Sequence, residues 1–425
     1  MQNWVFNGIE PRVIVRLDCM EHPHLPGFLS LLILILSVAK LLGAGATRLG
    51  QPAVLGELLA GVLLGGSLLG VIDPSQEVVH LMSELGVLLL LFAIGIETDL
   101  KLLVRVGGTA AVVAIAGVVF PFALGYGLCI ALGQPQLAAI VVGASLTATS
   151  VGITARVFSD LGRLREIEGQ VVLGAAVLDD VIGLIILTIV AGLTAGKGVT
   201  WGAIATTTGL AFGFLVGTVL IGRLIVPRVF DLVSRNKLAG TMTTAGLILA
   251  FGLAWLADRC GLAPIIGAFA AGLLVNESRQ TEEVEHGITA IGHFFVPIFF
   301  VAVGASVDVN VFNPLNSANH ATLLLGFLMI LVAMISKFAA GYAPFWFKGR
   351  KSVVGVGMIP RGEVGLIFAQ MGVNQGVLTP QLFGAVTLMV MATTFVTPPL
   401  LKRLLIQKER SDVAEDGISE LVTAP

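Results

Sequence analysis

From residue 29 to residue 404 the chain is a succession of apolar runs with only short polar punctuation between them. Each run is close to the roughly 20 residues that an α-helix needs to cross a bilayer. That pattern leaves few folds open. In lipid, backbone N–H and C=O groups must be satisfied within the structure, so only helices and closed barrels can span. The runs are continuous, whereas a barrel strand alternates over about ten residues, so they read as helices. Composition agrees: 56% of the 425 residues are hydrophobic and 12% are charged, against about 25% charged residues in soluble domains.

Polar punctuation divides the chain into thirteen candidate spans, at about 29–45, 51–71, 81–97, 107–132, 137–158, 168–194, 201–226, 239–257, 262–276, 289–307, 321–347, 352–373 and 379–404. Residues 1–28 form a lead-in without the apolar core of a signal peptide, and 406–425 form a short polar tail. Lys and Arg placement sets the orientation. With the N-terminus outside, 17 of the 25 Lys and Arg residues fall in inner loops and the C-terminal tail, and 4 in outer segments. The expected location is a prokaryotic plasma (inner) membrane, with the C-terminus cytoplasmic.

The sequence also repeats itself. Pro52-Ala-Val-Leu-Gly56-Glu-Leu-Leu-Ala60-Gly61 resembles Pro264-Ile-Ile-Gly267-Ala-Phe-Ala-Ala271-Gly272. Phe92-Ala-Ile-Gly95-Ile-Glu-Thr-Asp99 resembles Phe300-Val-Ala-Val-Gly304-Ala-Ser-Val-Asp308, and Ser150-Val-Gly152-Ile resembles Glu363-Val-Gly365-Leu. The partners lie in order at nearly one offset and seven spans apart. An odd separation turns the second copy over in the membrane. Inverted repeats of this kind build secondary transporters, with the site at the midplane where the copies meet.

The fifth and twelfth spans are repeat partners, and both look discontinuous. The fifth reads Gly143-Ala-Ser145-Leu-Thr147-Ala-Thr149-Ser150-Val-Gly152, and the twelfth reads Gly355-Val-Gly357-Met-Ile-Pro360-Arg361-Gly362-Glu363-Val-Gly365. Pro removes a backbone donor and paired glycines permit unwinding. Unwound backbone at membrane depth is tolerated only where it is buried or lines a cavity. The hydroxyls of Thr147, Thr149 and Ser150 can serve the freed backbone groups, line an ion path, or simply bond back to their own helix.

Two adjacent carboxylates, Asp179 and Asp180, interrupt an otherwise apolar sixth span. One Asp at bilayer depth costs roughly 2.5–3.5 kcal/mol even on lenient insertion scales. Two in low dielectric cannot both stay ionised unless a cation is present. Lys337, deep in the eleventh span, needs an anion, and the Asp pair is the candidate. Arg361 and Glu363 can offset each other and the exposed helix ends, and read as structural. Glu57 reads as interfacial, Lys40 and Arg156 as reaching the inner headgroups, and Glu97, Asp99 and Asp308 as caps of span ends. Cys19, Cys129 and Cys260 are scattered, and the six histidines have no metal-ligand spacing.

Ala176-Val-Leu-Asp179-Asp180-Val181, Lys337, the Thr147–Gly152 stretch and Pro360-Arg361-Gly362-Glu363 together resemble the monovalent cation:proton antiporter-2 family, in particular its thirteen-span sodium/proton antiporter branch. The resemblance runs over about residues 29–404. It implies an all-α membrane fold of about 13 transmembrane helices, with two inverted repeats and discontinuous crossing helices. It implies an ion-carrying core (about 107–194 and 321–404), a separate panel (about 29–97 and 201–307) and a homodimer. It also implies that Asp180 binds Na⁺ or a proton while Asp179 pairs with Lys337, in an electrogenic exchange. The partners expected are monovalent cations, protons and the lipid bilayer, with no cofactor and no nucleic acid. Gly61-xxx-Gly65 fits close helix packing.

The nearest alternative is a potassium/proton antiporter or potassium efflux transporter. Gated efflux systems usually carry Gln-Asp where this chain has Asp179-Asp180, and add a nucleotide-binding domain. A channel would need a filter loop, and no TVGYG-like segment occurs. An intramembrane protease would want a GxGD aspartate or an HExxH helix; neither occurs, and the chain does not read as an enzyme.

Overall fold

The computed structural model describes residues 25–74, 76–194, 201–235, 240–307 and 320–423. Most of the expected lead-in, and Asp308, lie outside these. The described residues form helices and no strands: α1 (Leu25–Arg48), α2 (Ala53–Leu64), α3 (Glu77–Glu97), α4 (Leu100–Ala131), α5 (Gln136–Ser145), α6 (Val151–Asp160), α7 (Ile167–Thr194), α8 (Trp201–Val233), α9 (Thr241–Arg259), α10 (Pro264–Asn276), α11 (Thr281–Ala305), α12 (His320–Ala340), α13 (Lys351–Gly357), α14 (Glu363–Asn374) and α15 (Pro380–Thr423). Among them α1, α3, α4, α7, α8, α9, α11, α12 and α15 are long and apolar enough to cross a membrane. The short apolar helices α2 and α10, and the pairs α5–α6 and α13–α14, occupy the remaining segments read from the sequence.

The surface supports the same environment. Val104, Ile248 and Ile33 are each about two-thirds exposed, at 71%, 69% and 67%. Isolated exposed apolar side chains are ordinary, but here they recur along most of the long helices, as expected where lipid is the solvent. Helix ends shift for local reasons. The fourth span begins near Leu100 rather than residue 107 because Asp99 caps it, its carboxylate accepting from Lys101 N at 2.8 Å and Leu102 N at 3.1 Å. The polar tail does not end the last helix: the apolar span covers Pro380–Ile406, and α15 runs on to Thr423. Pro121, Pro227, Pro297 and Pro398–Pro399 all sit inside continuous helices. The break near Pro360 therefore reflects the surrounding glycines and partner segments as well as the ring.

The helices pack in two groups. In one, α2 lies between α1 and α11, and α10 lies between α9 and α3. In the other, α4 packs on α7 and α12 on α15, with the two interrupted pairs between them. The repeat is visible in these seams. A Cβ at Gly56 would overlap the Leu42 carbonyl of α1, and one at Gly267 would overlap the Leu253 carbonyl of α9. Gly61 meets α11 at Gly304 and Val301, and Gly272 meets α3 at Gly95 and Phe92. Each copy thus lays its short helix on the third helix of the other copy, through glycine on both sides. Gly65 also packs on α11, at Ala305, so the Gly61-xxx-Gly65 stripe is used within the chain.

These backbone approaches leave no room for a side chain. Gly272→Val is expected to destabilise the protein by about 1–3 kcal/mol or more, the range for overpacking a tight core. Gly107→Ala, where nothing lies within 4 Å, is expected to leave stability unchanged or slightly raised. Thermal unfolding of the two variants in one detergent compares them.

Candidate functional site

Both interrupted helices break where the sequence punctuation lies. α5 ends at Ser145 and α6 starts at Val151, and α13 ends at Gly357 and α14 starts at Glu363. α5 packs beside α14, while Thr154 of α6 donates its hydroxyl to Gly357 O at 2.7 Å. The first half of each helix therefore lies along the second half of the other, and the two run antiparallel. Between them Ser150 N donates to Pro360 O at 2.9 Å, and Thr394 Oγ1 of α15 donates to Arg361 O at 2.7 Å. These bonds replace helical ones lost in the unwinding. The N-termini of α6 and α14 and the C-termini of α5 and α13 meet here, each end bearing a partial charge of about half a unit.

α7 and α12 bring the ionisable groups to this crossing. Lys337 is fully buried, and its Nζ donates to Thr149 Oγ1 at 2.6 Å and lies 3.3 Å from Asp179 Oδ2. Thr149 Oγ1 donates in turn to the same Oδ2. The hydroxyl thus bridges amine and carboxylate. Asp179 is 3% exposed, and its other oxygen, Oδ1, has no hydrogen-bond partner. Space for the amine comes from α4, where a Cβ at Gly117 would stand 3.3 Å from Lys337 Nζ.

Asp180 is one position on, turned about 100° around α7, and half-buried. It borders a cavity of about 460 Å³ that also touches Asp179, Ala148, Phe299 and Val364 and reaches Pro74, His80 and Glu84 at one end of the bundle. A smaller space of about 20 Å³ joins Asp180 to Thr149, Ser150 and Gly362. At the other end α6 closes against α2 and α3, where Ser159 Oγ donates to the Glu97 carboxylate at 3.2 Å and Arg165 Nε to Glu97 O at 3.1 Å.

The structure thus gathers Asp179, Asp180, Thr149, Ser150 and Lys337 at one place. Thr147 is buried, but its hydroxyl donates to Ala144 O at 2.7 Å, one turn back, and it borders neither space. Arg361 is fully buried and none of its guanidinium nitrogens has a hydrogen-bond partner; it borders a third cavity, of about 380 Å³, that reaches Ser306 and Gln370. The side chain of Glu363 lies outside the described residues.

Two sequence expectations change. Glu57, read from the sequence as interfacial, is only 3% exposed, because α1 covers it at Gly43 and α6 packs on α2. Arg156 does not reach outward; its Nε lies 2.9 Å from Asp160 on the same helix, and both side chains are mostly covered. The sequence carried one hint of the first, since the repeat partner of Glu57 is Ala268. A carboxylate in one copy and a methyl in the other marks a local departure from the symmetry. Nothing in the sequence pointed to Gly117, whose importance rests on what sits opposite it.

The chain is similar to known proteins over most of its length. The family profile described as "Sodium/hydrogen exchanger, transmembrane" matches residues 33–407. The high-affinity Na⁺/H⁺ antiporter NhaS3 of Synechocystis sp. is 41% identical, with 93% of each chain covered. The Na⁺/H⁺-K⁺ antiporter GerN of Bacillus cereus is 34% identical over 89% of this chain and 96% of its own. Among solved structures, the sodium proton antiporter MjNhaP1 of Methanocaldococcus jannaschii superposes with a TM-score of 0.64 at 17% identity, covering 89% of this chain and 97% of that one. The chain belongs to the transmembrane sodium/hydrogen exchanger family.

Removing one partner of a buried ion pair strands the other charge, typically at about 3–5 kcal/mol. Lys337→Ala is accordingly expected to lower thermal stability strongly, and Thr149→Val to lower it by about 1–3 kcal/mol through loss of the bridging hydroxyl. Unfolding midpoints of the two variants beside the unaltered protein measure this; no loss in either would remove the buried pair from the account.

Proposed function

We propose that the chain is a secondary antiporter exchanging Na⁺ (or Li⁺) for H⁺, with cation and protons competing at Asp180. The observation that carries this reading is the half-buried Asp180 lining a cavity of about 460 Å³ that reaches His80 and Glu84, beside a Lys337–Asp179 pair at the crossing of two interrupted helices. A carboxylate in that position is costly to leave charged and empty. A proton or a desolvated monovalent cation relieves the cost equally well, so the loaded site moves and the empty one does not. Competition for one group then becomes obligatory exchange. Oxygens of Thr149, Ser150 and the unwound backbone complete the coordination that a hard cation requires. Thr147 contributes through the backbone of the break, its hydroxyl proton being held by Ala144 O.

Alternating access follows from the two packing groups. The ion-carrying core is α4–α7 with α12–α15, the remaining helices form the panel, and closure at Glu97 and Ser159 is one end state. Lys337 neutralises Asp179 in one state and releases it in another, so more than one proton returns per cation and the exchange is electrogenic. Arg361 compensates the converging helix ends, together with Glu363. Thirteen crossings, an external N-terminus and a homodimer complete the proposal, the orientation resting on the Lys and Arg bias.

A potassium/proton exchange is the second reading, and what favours it is the K⁺ in the name of the GerN relative. Everted membrane vesicles carrying a proton gradient separate the two. Addition of Na⁺ or Li⁺ is expected to dissipate the gradient, and Asp180→Asn to abolish the response. Full activity in Asp180→Asn would sink the central role of that residue, and a response to K⁺ alone would move the chain to the second reading.

A further inference from the structure

Outside the exchange site, α12, α13 and α15 frame a groove of about 450 Å³ on the surface of the bundle. Ile335, Phe338, Val356, Ile359 and Leu400 give it apolar walls, and Arg403 is its charged residue. Arg403 and Ile335 are exposed. The segment before α13 is tied to this end of α15, because Arg350 Nη1 donates to Leu404 O at 2.6 Å. That tie brings Lys348 and Lys351 to the end that holds Lys402 and Arg403.

Among the described side chains, the acidic groups nearby are already engaged. Glu168 of α7 is buried, accepts from Arg350 N at 2.9 Å and lies 3.8 Å from Arg350 Nε. Lys402 acts on Asp160, which is paired with Arg156. Lys348 and Arg403 remain exposed, with Lys351 half-buried beside Phe345 O. Phe345 and Trp346, exposed on the same turn, suit the headgroup level of a bilayer.

We propose that this groove holds one anionic glycerophospholipid, its phosphate on Arg403 and the neighbouring lysines, one acyl chain along Ile335, Phe338 and Leu400. Any lipid can supply the chain; the exposed basic side chains Lys348 and Arg403 at one end select a negatively charged headgroup. Val356 and Ile359 are the last turn of α13 and the start of its interruption, so the lipid backs directly onto the broken helix. This inference rests on the groove and its charges alone and does not depend on the exchange mechanism.

Native mass spectrometry of the detergent-purified protein, offered phosphatidylglycerol, phosphatidylcholine or inorganic phosphate in turn, tests it. The unaltered protein is expected to retain one phosphatidylglycerol per chain and neither alternative. Arg403→Gln is expected to lose that lipid, with Arg403→Lys restoring it, while unfolding without added lipid stays unchanged. Ile335→Trp, which fills the groove and leaves the charge in place, should also displace it. Equal retention of the two phospholipids, retention of inorganic phosphate in place of lipid, or undiminished phosphatidylglycerol on Arg403→Gln and Ile335→Trp would overturn the proposal.

Discussion

The buried contact among Lys337, Thr149 and Asp179 is the interaction on which the architecture of the site depends. Three elements distant in sequence each supply one group: α12 the amine, the break between α5 and α6 the hydroxyl, and α7 the carboxylate. Neither the amine nor the carboxylate is tolerable alone when buried. Together they fix the unwound segment against two long helices and leave the next residue, Asp180, facing the cavity. The pair thereby ties one carboxylate down through its Oδ2 and leaves its neighbour outside that contact, at the cavity wall. That division of labour between adjacent, chemically identical side chains comes from the turn of about 100° between successive helix positions.

Around this contact the protein is assembled from small residues. Glycine-to-glycine seams join α2 to α11 and α10 to α3, so the two copies of the repeat interlock rather than stand side by side. With lipid as solvent, helices gain little from burying apolar surface against one another, and close backbone approach supplies dispersion contacts instead. The same economy of volume operates at the site, where Gly117 leaves room for an amine. Polar groups are then concentrated at two levels, the crossing and the closed end, where Glu57, Glu97, Arg156 and Asp160 gather around α6.

Much of this was legible beforehand, and for identifiable reasons. Long apolar runs specify helices because lipid offers the backbone no other partner. The repeat was readable because Pro, Gly and Asp recur in order at one spacing, and both breaks because Pro360, the glycines and the hydroxyl cluster violate helix chemistry where the span should be most regular. The covering of Glu57 and the turn of Arg156 toward Asp160 were not legible, because position along a span reports depth but not which helix covers a given face. Thr147 and Thr149 were indistinguishable in sequence. In the structure one hydroxyl turns back to its own helix and the other bridges an ion pair, a difference of side-chain direction within one irregular segment.

The sequence by itself determined that the chain is helical, lies in a membrane, is built of two opposed copies and carries charges where charges are expensive. These follow from local chemistry and periodicity. Only the tertiary structure decided which carboxylate meets the lysine, which hydroxyl bridges them, and which residues line the cavity beside them. Those outcomes depend on contacts between residues more than a hundred positions apart, whose geometry is set by the packing of helices rather than by any residue's own preferences.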